Sequence, residues 1–482
     1  MRGLGLAEEL ILALTRVPGL KVPSRSSAAR VAGDEADLLA IGGRLGVDTV
    51  LEGTVRKEGK RLRVTAQLVR VGNGYTLWSE RYDREMSDVF ALQEEIARRI
   101  VEALQLTLVG DLKAPGAQPE QRPVEAYNLY LQGRYFADKR SGESLRRAIE
   151  LFRQALDRSP GYARAWAGLA DGYALLGIYG LAPPREVMPR SREAAAKAIE
   201  LDPSLSEAHA ALGCVRSVYE WDWTAAEKSY WTARELDPKQ AITRHGYAVH
   251  CLMPAGRFDE AVEELRQARE LDPLSPVILT SLGLPRFYAR RYDEAVAAFE
   301  RALDLDPHFG MACFFLGRAR VEQGRYPEAV RSLERSIELS GPSPEKTAAL
   351  AHAQAVAGRE EEARRLLGEL EEVARTQYVS PVLQAQVHAG LGEREAALAA
   401  LEEALELKAA DLVWVEHHPV FDVLRGYDVD DDVLVDATRT LRAGLHGFVA
   451  LEAAGGFAMA RPLGDSLAWW LDSLDRALAN PG

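Results

Sequence analysis

In RRYDEAVAAFERALDLDP (290–307), Asp293, Glu294, Glu300 and Arg301 stand at helical spacing, the arrangement in which carboxylates and a base can share acid–base work. Other residues also invite chemistry. His417-His418 and the run Asp430-Asp431-Asp432 are metal-ligand types. Tyr219, Trp221, Trp223, Tyr230 and Trp231 could stack a planar ligand, and Arg56, Lys57, Lys60, Arg61 and Arg63 could meet phosphates or an acidic protein. Context argues against each. Adjacent histidines point apart on any helix or strand and the aspartates form an isolated run, so both read as cap or polar linker. The aromatic group suits the joint between two helices, with Asp222 capping the second. The basic residues alternate around a hairpin whose module has no net positive charge, so they read as water-facing. Phosphate-loop, dinucleotide, zinc-helix and nucleophile-elbow motifs are all absent from the sequence. The expectation is no catalytic residue, no metal and no cofactor.

The elements behind these residues repeat. GRFDEAVEELRQARELDP, RRYDEAVAAFERALDLDP, GRYPEAVRSLERSIELSG, GREEEARRLLGELEEVAR and GEREAALAALEEALELKA align on Ala261, Ala295, Ala329, Ala363 and Ala397, each 34 residues from the next. Four positions on stand Leu265, Phe299, Leu333, Leu367 and Leu401, all large and apolar. Asp-Pro at 202–203, 237–238, 272–273 and 306–307 should end the second helix of each unit, because proline cannot continue it. A 34-residue period of paired helices predicts a solenoid whose units bury their apolar faces only by stacking. The charges of 290–307 then fall opposite Ala295, Phe299 and Ala302, on a solvated face.

These residues, with Trp166-x2-Leu169-x3-Tyr173 and Leu279-x2-Leu282-Gly283 in the first helices, resemble the tetratricopeptide repeat over about residues 124–410. The resemblance implies an α–α superhelix of about eight repeats that holds a protein or extended peptide in its concave groove. The groove positions it implies, again 34 apart, include His250, Leu284, Arg318, His352 and Gln386, and one turn earlier Thr280 and Phe314.

Residues 1–112 read as a small α/β module. Leu62, Val64, Ala66 and Leu68 alternate with Arg61, Arg63, Thr65 and Gln67, as in a strand with one buried face. Helices are predicted over Leu6–Val17, 35–46 and 87–104, with a short strand near Leu20–Ser24. GLAEELILALTRVPGLKV, IGGRLGVDTVLEGTVRKEGKRLRVTAQLV and LWSERYDREMSDVFALQEEIARRI resemble the TolB amino-terminal-like domain. That domain commonly precedes tetratricopeptide repeats in bacterial signalling and transcription proteins, after a winged helix, a Ser/Thr kinase or a nucleotide cyclase. Its usual first strand is not found before Gly3, which would leave an exposed sheet edge.

Residues 113–123 read as a linker, 411–432 as cap and linker, and 433–482 as a helical tail. LHGFVALEAAGGF within the tail resembles the last helices of TetR-type regulators, which implies contact between subunits, and so a homodimer through these helices. Residues 1–112 contain 16 basic and 16 acidic side chains, and the remainder 43 basic against 56 acidic, so the −13 net charge lies wholly in the long carboxy-terminal part. An acidic surface repels phosphate, which argues against nucleic acid as partner. Scattered cysteines (Cys214, Cys251, Cys313), no apolar run of membrane length and no secretory signal pattern predict a cytoplasmic chain with reduced thiols. The whole reads as a non-catalytic adaptor in bacterial signalling or regulation. The alternatives are a fragment of a regulator, kinase or cyclase with its effector upstream, and a periplasmic envelope protein.

Overall fold

The computed structural model describes residues 38–85 except 59–60, residues 123–424 except 138–139, and isolated positions within 10–28 and 95–100. The carboxy-terminal tail, with its expected homodimer helices, and the 113–122 part of the linker lie outside the described residues.

Helix α1 (Leu38–Leu45) precedes three antiparallel strands, β1 (Thr49–Glu58), β2 (Arg61–Arg70) and β3 (Thr76–Glu85), hydrogen-bonded in the order β1-β2-β3. The predicted alternation sets the faces. Val64, Ala66 and Leu68 are buried, while Arg63, Thr65 and Gln67 remain partly open. On the open face Arg63 donates to Asp83 Oδ2 through Nε (3.2 Å) and Nη2 (3.0 Å), so part of the basic cluster is neutralised by the neighbouring strand. Among the described residues β1 pairs with β2 alone. Leu10 with Leu14 and Ile96 with Ile100 are helical, buried and four apart, the spacing of one helix face. Val22 and Pro23, inside the strand expected near Leu20–Ser24, have irregular backbone. Ile41 and Leu45 of α1 pack with Leu274 of the repeat region.

Eight helical hairpins follow: α2 (Val124–Ala137) with α3 (Gly142–Arg158), α4 (Ala163–Ile178) with α5 (Pro184–Leu201), α6 (Ser206–Val218) with α7 (Trp223–Leu236), and α8 (Ala241–Tyr247) with α9 (Phe258–Leu271). Next come α10 (Pro276–Ser281) and α11 (Leu284–Tyr288) with α12 (Tyr292–Leu305), α13 (Gly310–Glu322) with α14 (Tyr326–Ser340), α15 (Pro344–Val356) with α16 (Glu360–Ala374), and α17 (Pro381–Gly390) with α18 (Arg394–Glu406). Helices α5, α7, α9 and α12 stop at Asp202, Asp237, Asp272 and Asp306, one residue before each proline.

The period works through close approach. Ala261, Ala295, Ala329, Ala363 and Ala397 have no exposed surface, and neither do Leu265, Phe299 and Leu333. A Cβ on Gly317 would lie 2.7 Å from Leu333 Cγ, and one on Gly283 would overlap the Phe299 ring. In these two hairpins the bulky outer-helix residue fills the space that a missing side chain leaves on the inner helix. Burial of each such side chain contributes about 2–3 kcal/mol.

The turn between paired helices is also periodic. Gly256, Gly324, Gly358 and Gly392 have φ of +73°, +71°, +77° and +75°. The same position in the intervening repeat is Arg290, at φ +64°. A side chain there costs about 1 kcal/mol relative to glycine. Two inner helices of the middle repeats are irregular. A π turn over Ala248–Leu252 extends α8, and α10 and α11 are separated at Leu282–Gly283, just before Pro285, which has no N–H to continue the ladder.

Candidate partner-binding face

The helix 290–307 is a solvated wall. Asp293, Glu294, Glu300 and Arg301 are exposed, and Glu294 pairs with Arg291 of its own turn (Nε–Oε1 2.6 Å). Hydrogen bonds from Arg291 hold the Glu294 carboxyl below its ordinary pKa. No acid–base pair is buried on this face. Asp222 caps α7 by accepting from Ala225 N–H (2.9 Å), and Tyr230 fills the α6–α7 joint beside Gly213. The free thiols of Cys214, Cys251 and Cys313 are buried among apolar side chains, and burial pushes them above their ordinary pKa.

The inner face is not empty. Of residues 411–432, read from sequence as cap and linker, the described part folds with Ala410 into two 3-10 helices, Ala410–His417 and Pro419–Leu424, and lies back across the inner helices. The linker reading of His417 and His418 is corrected: His418 is buried. Apolar residues at Val413, Trp414, Val420 and Phe421 flank the pair and find their apolar surroundings inside the superhelix.

The course of this strap can be followed residue by residue. Arg185 donates to Glu406 O. Lys408 Nζ lies 5.4 Å from the centres of both the Tyr219 and Trp221 rings. Trp414 meets the His250 ring edge-on at 6.1 Å, and His417 meets Phe258 at 5.2 Å. Arg290 forms a bidentate pair with Asp422 (Nη2–Oδ1 2.7 Å, Nε–Oδ2 3.0 Å), and its Nη1 donates to His417 O (2.5 Å). Arg318 Nη2 meets His418 Nε2. Ser380 donates to Asp411 (2.7 Å), and Arg394 donates to Leu424 O (2.7 Å).

The residues singled out by the repeat register separate into three groups. Arg318, His352 and Gln386 come together with Val321, Glu322, Ala349 and the strap's Val420 around a residual cavity of about 10 Å³, room for about one water. Phe314 lies under the Arg318 guanidinium, which is 5.3 to 5.5 Å from the ring centres of Phe287, Phe314 and Phe315. His250 sits in the π turn against Trp414, its Nδ1 without a hydrogen-bond partner. Leu284 joins Phe287 and Tyr288 in the central apolar cluster, and Thr280 is wholly buried.

Burial and the Arg318 charge shift the ionisable groups here. Desolvation holds His352 and His250 down at about 4, and His418 well below its ordinary value, with Arg318 adding to the shift of His352 and His418. Desolvation raises Glu322 to about 7 and Asp411 to about 6. The histidines are therefore neutral at pH 7, and the face presents the arginines as its fixed cations.

Register reasoning missed Arg290, Trp414, Phe421 and Asp422. One signal was present: Arg290 stands where Gly256, Gly324, Gly358 and Gly392 stand in the other aligned units.

Stacked helical hairpins with small residues at each inner–outer contact define a repeat scaffold, and the chain carries tetratricopeptide repeats. The tetratricopeptide repeat model matches residues 130–184 and 280–344, and the model of the tetracyclin repressor-like C-terminal domain matches residues 343–474. The second match begins at the last two hairpins, well before the expected tail. A putative adenylate cyclase 3 of Rhizobium meliloti is 35% identical over 166 residues, covering 34% of this chain and 28% of that protein. The transcriptional regulator HilA of Salmonella typhimurium is 24% identical over 244 residues, covering 49% of this chain and 42% of that protein. The chain thus spans less than half the length of these curated relatives. Among solved structures, the human IFIT1 dimer with m7Gppp-AAAA aligns with TM-score 0.45 and 18% identity, over 66% of this chain and 77% of that one. Among the described residues no helix is long and apolar enough to cross a membrane.

Proposed function

We infer from the tetratricopeptide repeats that the chain is a protein-interaction scaffold. We propose that this one is a non-catalytic adaptor in bacterial signalling or regulation, working in the cytoplasm, and that its inner face holds an extended segment of a partner protein. The observation that carries the reading is the strap: the inner face accommodates an irregular peptide segment, using Arg318 and His250 at register positions predicted from the repeats. The acidic balance of the repeats supports a protein rather than a nucleic acid as partner.

A photo-crosslinking residue at Gln386 of the full chain, expressed in its native cells, should yield an adduct with another protein. The same residue at Glu300, on the outer wall, should not. Identical adducts from both positions, or none from either, overturn the reading.

The two curated relatives favour a second reading, in which the same scaffold is one arm of a longer regulator or cyclase. An immunoblot of the native protein separates the two: a band much heavier than the 53.0 kDa of this sequence supports the longer protein.

A further inference from the structure

We propose that the strap 410–424 is a displaceable internal ligand of the inner face, latched by Arg290. A partner would enter by presenting the same chemistry, an extended segment with an aromatic residue next to a carboxylate. The inference rests on the scaffold reading above and adds what the face recognises and what holds it closed.

Backbone strain supports the latch. Among the described residues four non-glycine positions have positive φ: Arg140, Trp221, Arg290 and Lys408. Three of them fasten the strap. Lys408 leads into it from α18, with its ammonium over the Trp221 ring, and Arg290 grips Asp422 and the His417 carbonyl. Strained residues persist where their surroundings hold them, and they concentrate at clamps and switches. Arg290 is the sharpest case, since four other repeats place glycine at the same turn. Glycine would serve the turn better, whereas arginine serves the contact to Asp422.

The strap's own construction fits a removable element. It consists of two short 3-10 helices, whose hydrogen-bond geometry is poorer than that of an α-helix. Five of its fifteen residues, Ala410, His418, Pro419, Val420 and Phe421, are buried, while Val423 is 62% exposed. Much of its hold comes from side-chain pairs at a handful of points. The receiving side reads two features. Arg290 takes the Asp422 carboxylate through two parallel N–H donors, which selects a planar anion. The strap's aromatic residues are taken in turn: Phe421 lies in the apolar cluster of Val382, Ala385 and Ala389, and the His418 ring, 5.5 Å from Phe421 within the strap, meets Phe287 (6.2 Å) and Tyr288 (5.9 Å) of the inner face. Gly256 leaves room for His417: a Cβ there would lie 3.2 Å from the imidazole.

The variant that tests this is Arg290→Gly, which restores the residue found at the other turns and so should leave the hairpin intact. Hydrogen exchange on the full chain should show the 410–424 amides opening at least tenfold faster than those of α13. Arg290→Gly should accelerate the strap about a further tenfold with an unchanged thermal midpoint. A fluorescent peptide with the sequence of residues 410–424 should bind a chain carrying Asp422→Ala, which breaks the same latch but keeps Arg290 as the receiving cation, at least fivefold more tightly than it binds the unaltered chain. The same peptide carrying Phe421→Ala and Asp422→Ala should bind neither.

If the strap is as protected as α13 in both proteins, it is a permanent part of the core. That result overturns the proposal and leaves the scaffold reading intact. If the strap opens in Asp422→Ala but the peptide does not bind that chain, the face does not take free segments, and the scaffold reading falls with the proposal.

Discussion

The outer wall and the inner face are built from the same side-chain types and behave in opposite ways. On the outer helix α12, Glu294 and Arg291 share a solvated turn, and the carboxyl is held below its ordinary pKa. On the inner helix α13, Glu322 is raised to about 7 although it also has an arginine, Arg318, in the next turn. The difference is water. Outside, an ion pair exchanges one set of good hydrogen bonds for another and contributes little. Inside, desolvation outweighs the attraction and the carboxyl keeps its proton until the pH approaches 7. Charge-rich helix sequence is therefore a poor guide to chemistry until its face is known.

The largest break in this contrast lies beneath the outer wall. Phe299→Ala removes a fully buried ring that fills the space over Gly283. It should cost about 3–5 kcal/mol in urea denaturation. Next comes Arg318→Ala, which deprives three phenylalanine rings of their cation and removes the larger of the two positive charges that favour the ionised form of Glu322. A loss of about 2–4 kcal/mol at pH 7 is expected by the same method.

The pH dependence sharpens the comparison. Glu322 has its folded pKa raised to about 7 from 4.5, so stability falls as pH rises from 4.5 to 7, and the deficit is complete above 7. Glu322→Gln should therefore gain about 1–2 kcal/mol at pH 8 and nothing at pH 4. His352 works in the other direction, with its pKa lowered to about 4 from 6.5, so its stabilisation is lost as pH falls through that window. Thermal midpoints across pH 4–8 should consequently fall more steeply on the acid side in Glu322→Gln than in the parent chain. The smallest effect belongs to the outer wall. Glu300→Gln, which removes an exposed carboxylate paired with the half-buried Arg320 (3.1 Å), should change stability by under about 1 kcal/mol.

The sequence by itself determined the repeat. Ala295, Phe299 and their counterparts at 34-residue spacing specify which faces meet, because a hairpin can bury its apolar stripe only against its neighbours. The Asp-Pro steps specify where helices stop, and two-residue alternation specifies the buried side of β2. All of these are local or nearest-neighbour properties, and periodicity exposes them. The occupant of the inner face is not such a property. Arg290 and Asp422 are 132 residues apart, and nothing in VWVEHHPVFDVL states where that segment will lie. Only the winding of the whole superhelix brings Lys408 to Trp221, His418 to Arg318 and Asp422 to Arg290. The sequence marked one end of that contact, an arginine where the repeat prefers glycine, and tertiary structure supplied its reason.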